Sequence, residues 1–558
     1  MRARAIFGRA ISGLRSLSPR NLIVLTIFIS SSLFLFALVA YPTEIAESTE
    51  NSSKYSPFRV VHKISTSGIL SNAHQPPSSA NSTTESVYSD FTNWRQYFSS
   101  KVSKEENRVA LPKLANRCPV YTYYDGKAEG VDHAVEKKLI QAWRRAFWSK
   151  GFKPVVLGPA DAVEAPMHAA LMRKEMSPEL KKTLFRWLAW QHMGSGILAD
   201  YRLIPMGDKN APILKILRTC NFPHLTRLEG MAGALYYGPR TEVEAILKYL
   251  ESAKIPANAK TIEAATDDSP TDLFRIDPRP PSMAWYTPAT VKDKYSALKP
   301  EELPALINAH MHQTFLELTN DGLSVLDPPP RDTRALVYPA LRTAHLLTSC
   351  PSSPLPNTCP PNRPECQACT VGSNIKQLKH LERKDYNNTD GFLVGVIPHP
   401  YSFLSLHEHK ANFDIAFVRR KTQRDTWVRS ATKEILGTGV GAPKRGLTIK
   451  DIITTANGIW STPEIGFQHV EWYVGFTMSE ADKRATALSP LDQNELKQKA
   501  ILERTYKELN DKKMQTVMKA VEAWNLVDAE VWKFAKAWEN RRRRELETWL
   551  KDEERYTW

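Results

Sequence analysis

The pattern of apolar and polar positions divides the chain into unequal parts. Leu22 to Tyr41 is an uncharged run dominated by Leu, Ile, Val and Phe. About 20 apolar residues in a helix, each rising 1.5 Å, match a hydrocarbon core of roughly 30 Å and pair their own backbone groups internally. The run predicts a transmembrane helix at 22–41. Before it, Arg2, Arg4, Arg9, Arg15 and Arg20 stand without an acid; after it come Glu44, Glu47 and Glu50. That asymmetry predicts a cytoplasmic basic tail at 1–21 and a lumenal remainder, a single-pass type II topology. A cleaved signal peptide is the rival reading. The run exceeds the usual signal core, although Ala37-Leu38-Val39-Ala40 offers a cut site.

Residues 42–110 are rich in Ser, Thr, Asn and charge and show little apolar periodicity, which reads as an extended stem. Across 111–478 the periodicity alternates. Pro119 to Tyr124 is β-type. Val131 to Lys150 places Val135, Leu139, Ala142, Trp143 and Phe147 on one helical face, and Gly151 closes that helix. Pro154 to Leu157 is a short apolar strand, completing a βαβ unit whose strands should be parallel. Ser177-Pro178-Glu179 opens a second helix that runs to Met193. Strands at Ile197–Pro205 and Met231–Tyr237 follow, then a helix from Thr241 to about Lys254. The order predicts an α/β fold with a mostly parallel sheet. Residues 257–348 are proline-rich and read as an elaboration with one helix, Glu301–Thr319. A strand at Phe392–Ile397 and a helix at Asp425–Leu436 complete the domain. The remainder, 479–558, is a charged helical extension. Trp524, Val527, Val531, Phe534 and Trp538 form a stripe suited to docking on the domain, and Arg541 to Arg544 form a solvated face or a patch for anionic headgroups.

Composition adds a compartment. Four of the six cysteines, Cys350, Cys359, Cys366 and Cys369, crowd into a proline-rich loop that cannot build a core of its own. In an oxidising lumen such a loop is stapled by disulfides. The spacing Cys366-x-x-Cys369 also suits zinc, but Cys350 and Cys359 are too widely spaced to supply the second pair. Cys118 and Cys220 are candidates for another bridge. Sequons begin at Asn51, Asn81 and Asn387. The formal charge of +15 suits nucleic acid in a cytosolic protein, but a lumenal domain does not meet nucleic acid. The excess base instead suits a mixed surface with local patches for an anion such as a nucleoside diphosphate.

The segment LFRWLAWQHMGSGILADYRLIPM, Leu184 to Met206, carries the chemistry. A helix ends at Gly194-Ser195-Gly196, and a short apolar strand emerges with Asp200 at its carboxyl end, where open α/β sheets bind ligands. An acid there can hold a divalent cation that bridges a diphosphate, and glycines allow close backbone approach. His399, fixed between Pro398 and Pro400, is a candidate base, with a structural turn histidine as the competing reading. The pairs His310/His312 and His407/His409 resemble metal ligands only superficially, because i and i+2 side chains diverge on a helix.

This segment resembles the DXD-motif region of Golgi glycosyltransferases, in particular the initiating α-1,6-mannosyltransferase-like and capsular-polysaccharide-like sugar transferases. There a helix with an Arg- or Trp-rich face precedes Gly-Gly-(Ile/Val)-Tyr-x-Asp-x-Asp, and the matching positions here are Gly194 through Arg202. The resemblance covers roughly Arg117 to Gly207 and, faintly, Val396 to Pro400. It implies a nucleotide-sugar-transferase-like sheet, a nucleotide-sugar donor, a glycan or glycoprotein acceptor, and residence in the Golgi or endoplasmic reticulum membrane. It implies donor binding by Asp125, Gly194, Gly196, Asp200 and Arg202, with Mn²⁺ or Mg²⁺ on Asp200. Two departures stand out: Arg202 replaces the second acid, and Ser195 separates the glycines. A transferase that uses arginine in place of a metal, and a non-catalytic scaffold or adaptor that keeps the fold, both follow from that pattern.

Overall fold

A computed structural model describes residues 73–77, 111–112, 114–231, 233–319, 322–327, 334–363, 365–367, 378–382, 391–410, 453, 458–461, 467–478, 483, 492–524 and 526–556. The expected span at 22–41, the helix at Asp425–Leu436 and all three sequons lie outside these residues. No helix among the described residues is long and apolar enough to cross a membrane.

The βαβ unit forms as expected. Strand β1 (Cys118–Tyr123) leads into helix α1 (His133–Ser149), which Asp132 caps through its side chain, and then into β2 (Phe152–Leu157), parallel to β1. Gly151 takes the left-handed turn between helix and strand, at φ 90°. Helix α2 (Pro178–Met193) is capped by Ser177 and ends at Gly194. It feeds β3 (Gly196–Ala199), parallel to β1 on the side opposite β2. The chain moves first to one side of β1 and then to the other, so right-handed crossovers put α1 and α2 on opposite faces of the sheet. The side chains agree. Val120, Ile197 and Ala199 pack with the buried side of α1, while Tyr121 and Leu198 pack with Leu184, Trp187 and Leu188 of α2.

The expected strand Ile197–Pro205 is interrupted. Asp200 to Arg202 form a turn, and β4 (Leu203–Pro205) pairs instead with a later strand. Helix α3 (Pro212–Arg218), β5 (Thr226–Leu228), β6 (Leu235–Gly238) and helix α4 (Arg240–Ser252) follow. With β7 (Arg275–Asp277) the strand order is β2-β1-β3-β6-β5-β7. This first sheet is mixed, because β6 runs antiparallel to both β3 and β5. The partner of β4 is β8 (Met283–Trp285).

The proline-rich 257–348 region is more than an elaboration of the first sheet. Helix α5 (Leu303–Leu318) is followed by β9 (Leu323–Asp327) and α6 (Arg334–Thr348). Then come β10 (Leu378–Glu382), β11 (Phe392–Val396), α7 (Pro400–His407) and β12 (Gly458–Ser461). Strands β10-β9-β11-β12 form a second sheet, parallel throughout. One continuous core joins the sheets, with Val120 and Ile197 of the first, Leu306, Ile307 and Met311 of α5, and Val325 and Val394 of the second.

The C-terminal extension packs onto this body. After α8 (Phe467–Val474) come α9 (Gln493–Leu509), α10 (Gln515–Trp524) and α11 (Leu526–Glu553). Val531 and Phe534 bury against Ile397, with Trp538 packed beside them, so these three residues of the expected stripe dock on the domain. Trp549 stacks on Trp148 of α1 with ring centroids 4.5 Å apart. The arginine run is not a free solvated face: Arg541 donates to the Pro112 carbonyl at 2.9 Å and Arg542 to the Tyr473 hydroxyl at 3.1 Å. The expected stem also touches the fold. His74 is buried, its amide donates to Asp161 Oδ1 at 2.6 Å, and its ring stacks on Tyr556 at 3.5 Å.

Among the described residues two disulfides have both partners in place. Cys118–Cys220 ties the start of β1 to the residues after α3, and Cys359–Cys366 closes a small loop. Cys350 is disulfide-bonded as well. Cys366 is therefore a bridge partner and not a zinc thiolate.

Candidate functional site

The opposite-side placement of α1 and α2 makes the carboxyl ends of β1 and β3 the point where the connections diverge, the place where open α/β sheets form a ligand crevice. Asp125 follows β1 and Asp200 follows β3 directly. Asp125 closes a turn by accepting from the Lys127 amide at 2.9 Å, and Asp200 does the same for the Arg202 amide at 2.8 Å. The Asp200 amide donates to the Ala234 carbonyl at 2.8 Å, which anchors the turn to the loop before β6. Arg186 of α2 holds that loop from beneath, donating to the Gly233 carbonyl at 2.5 Å.

Arg202 turns toward α1. Its Nη2 donates to Glu136 Oε1 at 2.5 Å, and its guanidinium lies 5.1 Å from the centroid of Tyr201. Glu136 comes from the first turn of α1, where the helix dipole also favours a carboxylate. Tyr124 and Tyr201 meet edge to face at 6.3 Å, and the Tyr124 hydroxyl lies 2.6 Å from His133 Nδ1. Burial, then Glu136 and Asp125, push the Tyr124 phenol above its ordinary pKa, so it stays protonated and can donate to that nitrogen. The Tyr201 phenol is raised as well, by burial first and against the opposing pull of Arg202, with Glu136 and Asp200 adding to the rise. The result is an aromatic and charged cluster built from β1, α1 and the β3 turn.

Three expected site residues lie elsewhere. Gly196 opens β3, roughly 13 Å along the strand from Asp200 at about 3.3 Å per residue, and Gly194 lies farther back at the helix end. Gly194 caps α2 at φ 96°, and a Cβ on Gly196 would meet Tyr121 Cε2 at 2.8 Å. Their glycine identity answers to the helix end and to Tyr121, not to a ligand. His399 follows β11 of the second sheet. It is buried, its Nδ1 accepts from the Tyr401 amide at 3.0 Å to cap α7, and Trp532 of α11 packs on its ring edge to face at 4.4 Å. Burial, reinforced by Lys536 and Lys533, lowers its pKa to about 3. It is a neutral capping histidine, the competing reading of the Pro-His-Pro turn. His310 and His312 also diverge: His310 bonds Tyr286 and Thr358, while His312 bonds the Leu347 carbonyl.

The donor set does not match a protein-held Mn²⁺ or Mg²⁺. One oxygen of Asp200 already accepts the Arg202 amide, the position of the second acid is a guanidinium, and hard cations need several oxygen ligands. Among the described residues no group of three or more His, Cys, Asp or Glu side chains is arranged for a metal. Sequence reasoning missed Glu136, Tyr124, His133 and Tyr201. Their signal was position: each adjoins the carboxyl end of β1 or β3, which the βαβ reading had already located.

The described residues thus hold two larger sheets, with acidic and aromatic residues at the carboxyl edge of the first. The profile of a family described as a domain of unknown function (DUF8765) matches residues 81–558, and the chain belongs to that family. No curated protein and no solved structure matches it.

Proposed function

We propose that the chain is a lumenal, membrane-anchored transferase that moves a sugar from a nucleotide-sugar to a glycan or glycoprotein acceptor. In this reading the donor occupies the crevice between β1 and β3. One observation carries it: Asp125 and Asp200 leave the carboxyl ends of adjacent parallel strands at the point where the connections diverge. Asp125 and Asp200 orient the nucleotide and sugar hydroxyls, Tyr124 and Tyr201 offer aromatic walls, and Arg202 exchanges Glu136 for the diphosphate. A guanidinium suits that task because its fork matches phosphate oxygens. The disulfides support an oxidising compartment, and the apolar run at 22–41 supports the anchor. The test is calorimetry on the full-length protein with a panel of nucleoside diphosphates, with and without Mn²⁺. One diphosphate should bind, and Asp200→Ala should weaken it roughly tenfold, the loss of about one charge-assisted hydrogen bond. Absence of heat with every diphosphate sinks the reading.

A second reading has one observation in its favour. Arg202 is already paired with Glu136 at 2.5 Å, which suits an adaptor that keeps the fold and not the chemistry. Such a protein binds without consuming donor, so turnover of the bound nucleotide-sugar separates the two.

A further inference from the structure

The opposite edge of the first sheet holds an excess of positive charge that the crevice at the carboxyl edge does not use. Arg117 precedes β1, Lys150 lies between α1 and β2, Arg218 ends α3, and Arg542 comes from α11. Two of them are held at one turn by specific contacts. Arg117 donates to the Trp148 carbonyl at 2.8 Å, and Arg218 donates to the Lys150 carbonyl at 3.1 Å, so the two guanidinium groups flank the turn that carries Lys150. Arg542 donates to the Tyr473 hydroxyl at 3.1 Å and lies 4.4 Å from its ring centroid. Lys209, exposed on the loop after β4, lies within electrostatic reach of Arg542, Arg218 and Arg117. The Cys118–Cys220 bridge, adjacent in sequence to Arg117 and near Arg218, braces two of the segments involved.

Counter-charge is short. Glu545 is taken up by Arg117 at 2.6 Å, and Asp208 faces Lys150 and Arg218. Two groups feel these charges. Burial, opposed by Asp208 but helped by Lys209, Arg218 and Arg363, lowers the Lys150 ammonium to about 8. Burial alone would raise the Tyr473 phenol, yet Arg542, Lys209 and Arg117 bring it below its ordinary value. Cations gathered at one turn and on the adjoining helix, with one of the facing carboxylates already paired, attract an anion to the neighbouring surface.

We propose that Arg117, Lys150, Lys209, Arg218 and Arg542 form a second binding site, at the amino edge of the first sheet, for a tetrahedral oxyanion carried as a phosphate or sulfate ester. The forked donors of Arg218 and Arg542 match the oxyanion's oxygens, and Lys150 and Lys209 supply point charges. The site lies across the sheet from Asp200, so it serves to hold a charged acceptor or partner and not the reacting donor.

Calorimetry on the full-length chain tests it with inorganic pyrophosphate, inorganic sulfate and a sulfated disaccharide. Binding of pyrophosphate in preference to the sulfated probes identifies a phosphate ester, and the reverse order identifies a sulfate ester; either supports the site. Lys209→Glu should weaken the preferred probe at least tenfold. Because Lys209 is exposed on a loop, the variant should keep the wild-type melting temperature, and Lys209→Glu/Arg218→Gln should abolish the binding. Asp200→Ala should leave it unchanged, which separates failure here from failure at the carboxyl edge. The proposal is overturned if no probe binds, if Lys209→Glu binds as wild type does, or if polyglutamate displaces the probes at equal charge concentration.

Discussion

Replacing both Cys118 and Cys220 by alanine opens a bridge between residues 102 apart in sequence. In the chain-entropy account, closing a loop of that length lowers the entropy of the unfolded chain by about 16 cal/mol/K, or about 4.7 kcal/mol of stability at 25 °C. The same expression gives about 2.4 kcal/mol for Cys359–Cys366, whose separation is 7. Cys220 also sits at φ 54°, an uncommon conformation for a residue other than glycine, and relief of that conformation would offset about 1 kcal/mol of the first loss. The expected loss is therefore about 3.7 kcal/mol for the long bridge. Unfolding entropy is about 2.1 cal/mol/K per residue, or roughly 1 kcal/mol per degree for the unit Leu70–Trp558. Calorimetric melting should then fall by about 4 °C for Cys118→Ala/Cys220→Ala and about 2 °C for Cys359→Ala/Cys366→Ala. Equal losses, or a larger loss for the short loop, would refute the entropic reasoning and point to native-state packing around the sulfurs.

Two further perturbations address the groups around the sites. Arg202→Met leaves the Glu136 carboxylate 9% exposed and without its cation, so urea unfolding should show a loss of about 3 kcal/mol. Adding Glu136→Gln should restore at least about 1 kcal/mol of it; a neutral Arg202→Met would mean that the pair contributes nothing to the fold. His399 has a folded pKa of about 3 against an unfolded value near 6.5. Between those values the unfolded chain holds the proton and the folded chain does not. The contribution of the neutral histidine is complete above pH 6.5 and is lost as pH falls toward 3, at up to about 1.4 kcal/mol per pH unit. His399→Gln retains an acceptor for the Tyr401 amide and should show a shallower loss of stability than wild type between pH 6 and 4. Parallel profiles would disprove the assignment of a buried neutral ring.

Much of the first sheet was legible because its cues are local. Asp132 and Ser177 cap their helices, Gly151 takes a left-handed turn, and the period of apolar residues changes from helix to strand within a few positions. The acid at the end of β3 was legible for the same reason. The second sheet was hidden: β9, β10 and β12 are short, separated by long connections, and find each other only through parallel pairing across the chain. The glycines beside Asp200 in sequence misled for a geometric reason, since a four-residue strand carries them to the opposite edge of the sheet.

By itself the sequence determined the opening strand–helix–strand–helix–strand order of the first sheet, the glycine-closed turns, the cysteines available for bridging and an apolar run of membrane-spanning length. These follow from neighbours within one or two turns of chain. Only the tertiary structure decided that Arg202 faces Glu136, 66 positions away, that His399 is sealed beneath Trp532, and that Arg117 meets Glu545 across 428 positions. Charge and burial at those residues depend on which distant segments close over them. That information resides in packing and not in any local pattern.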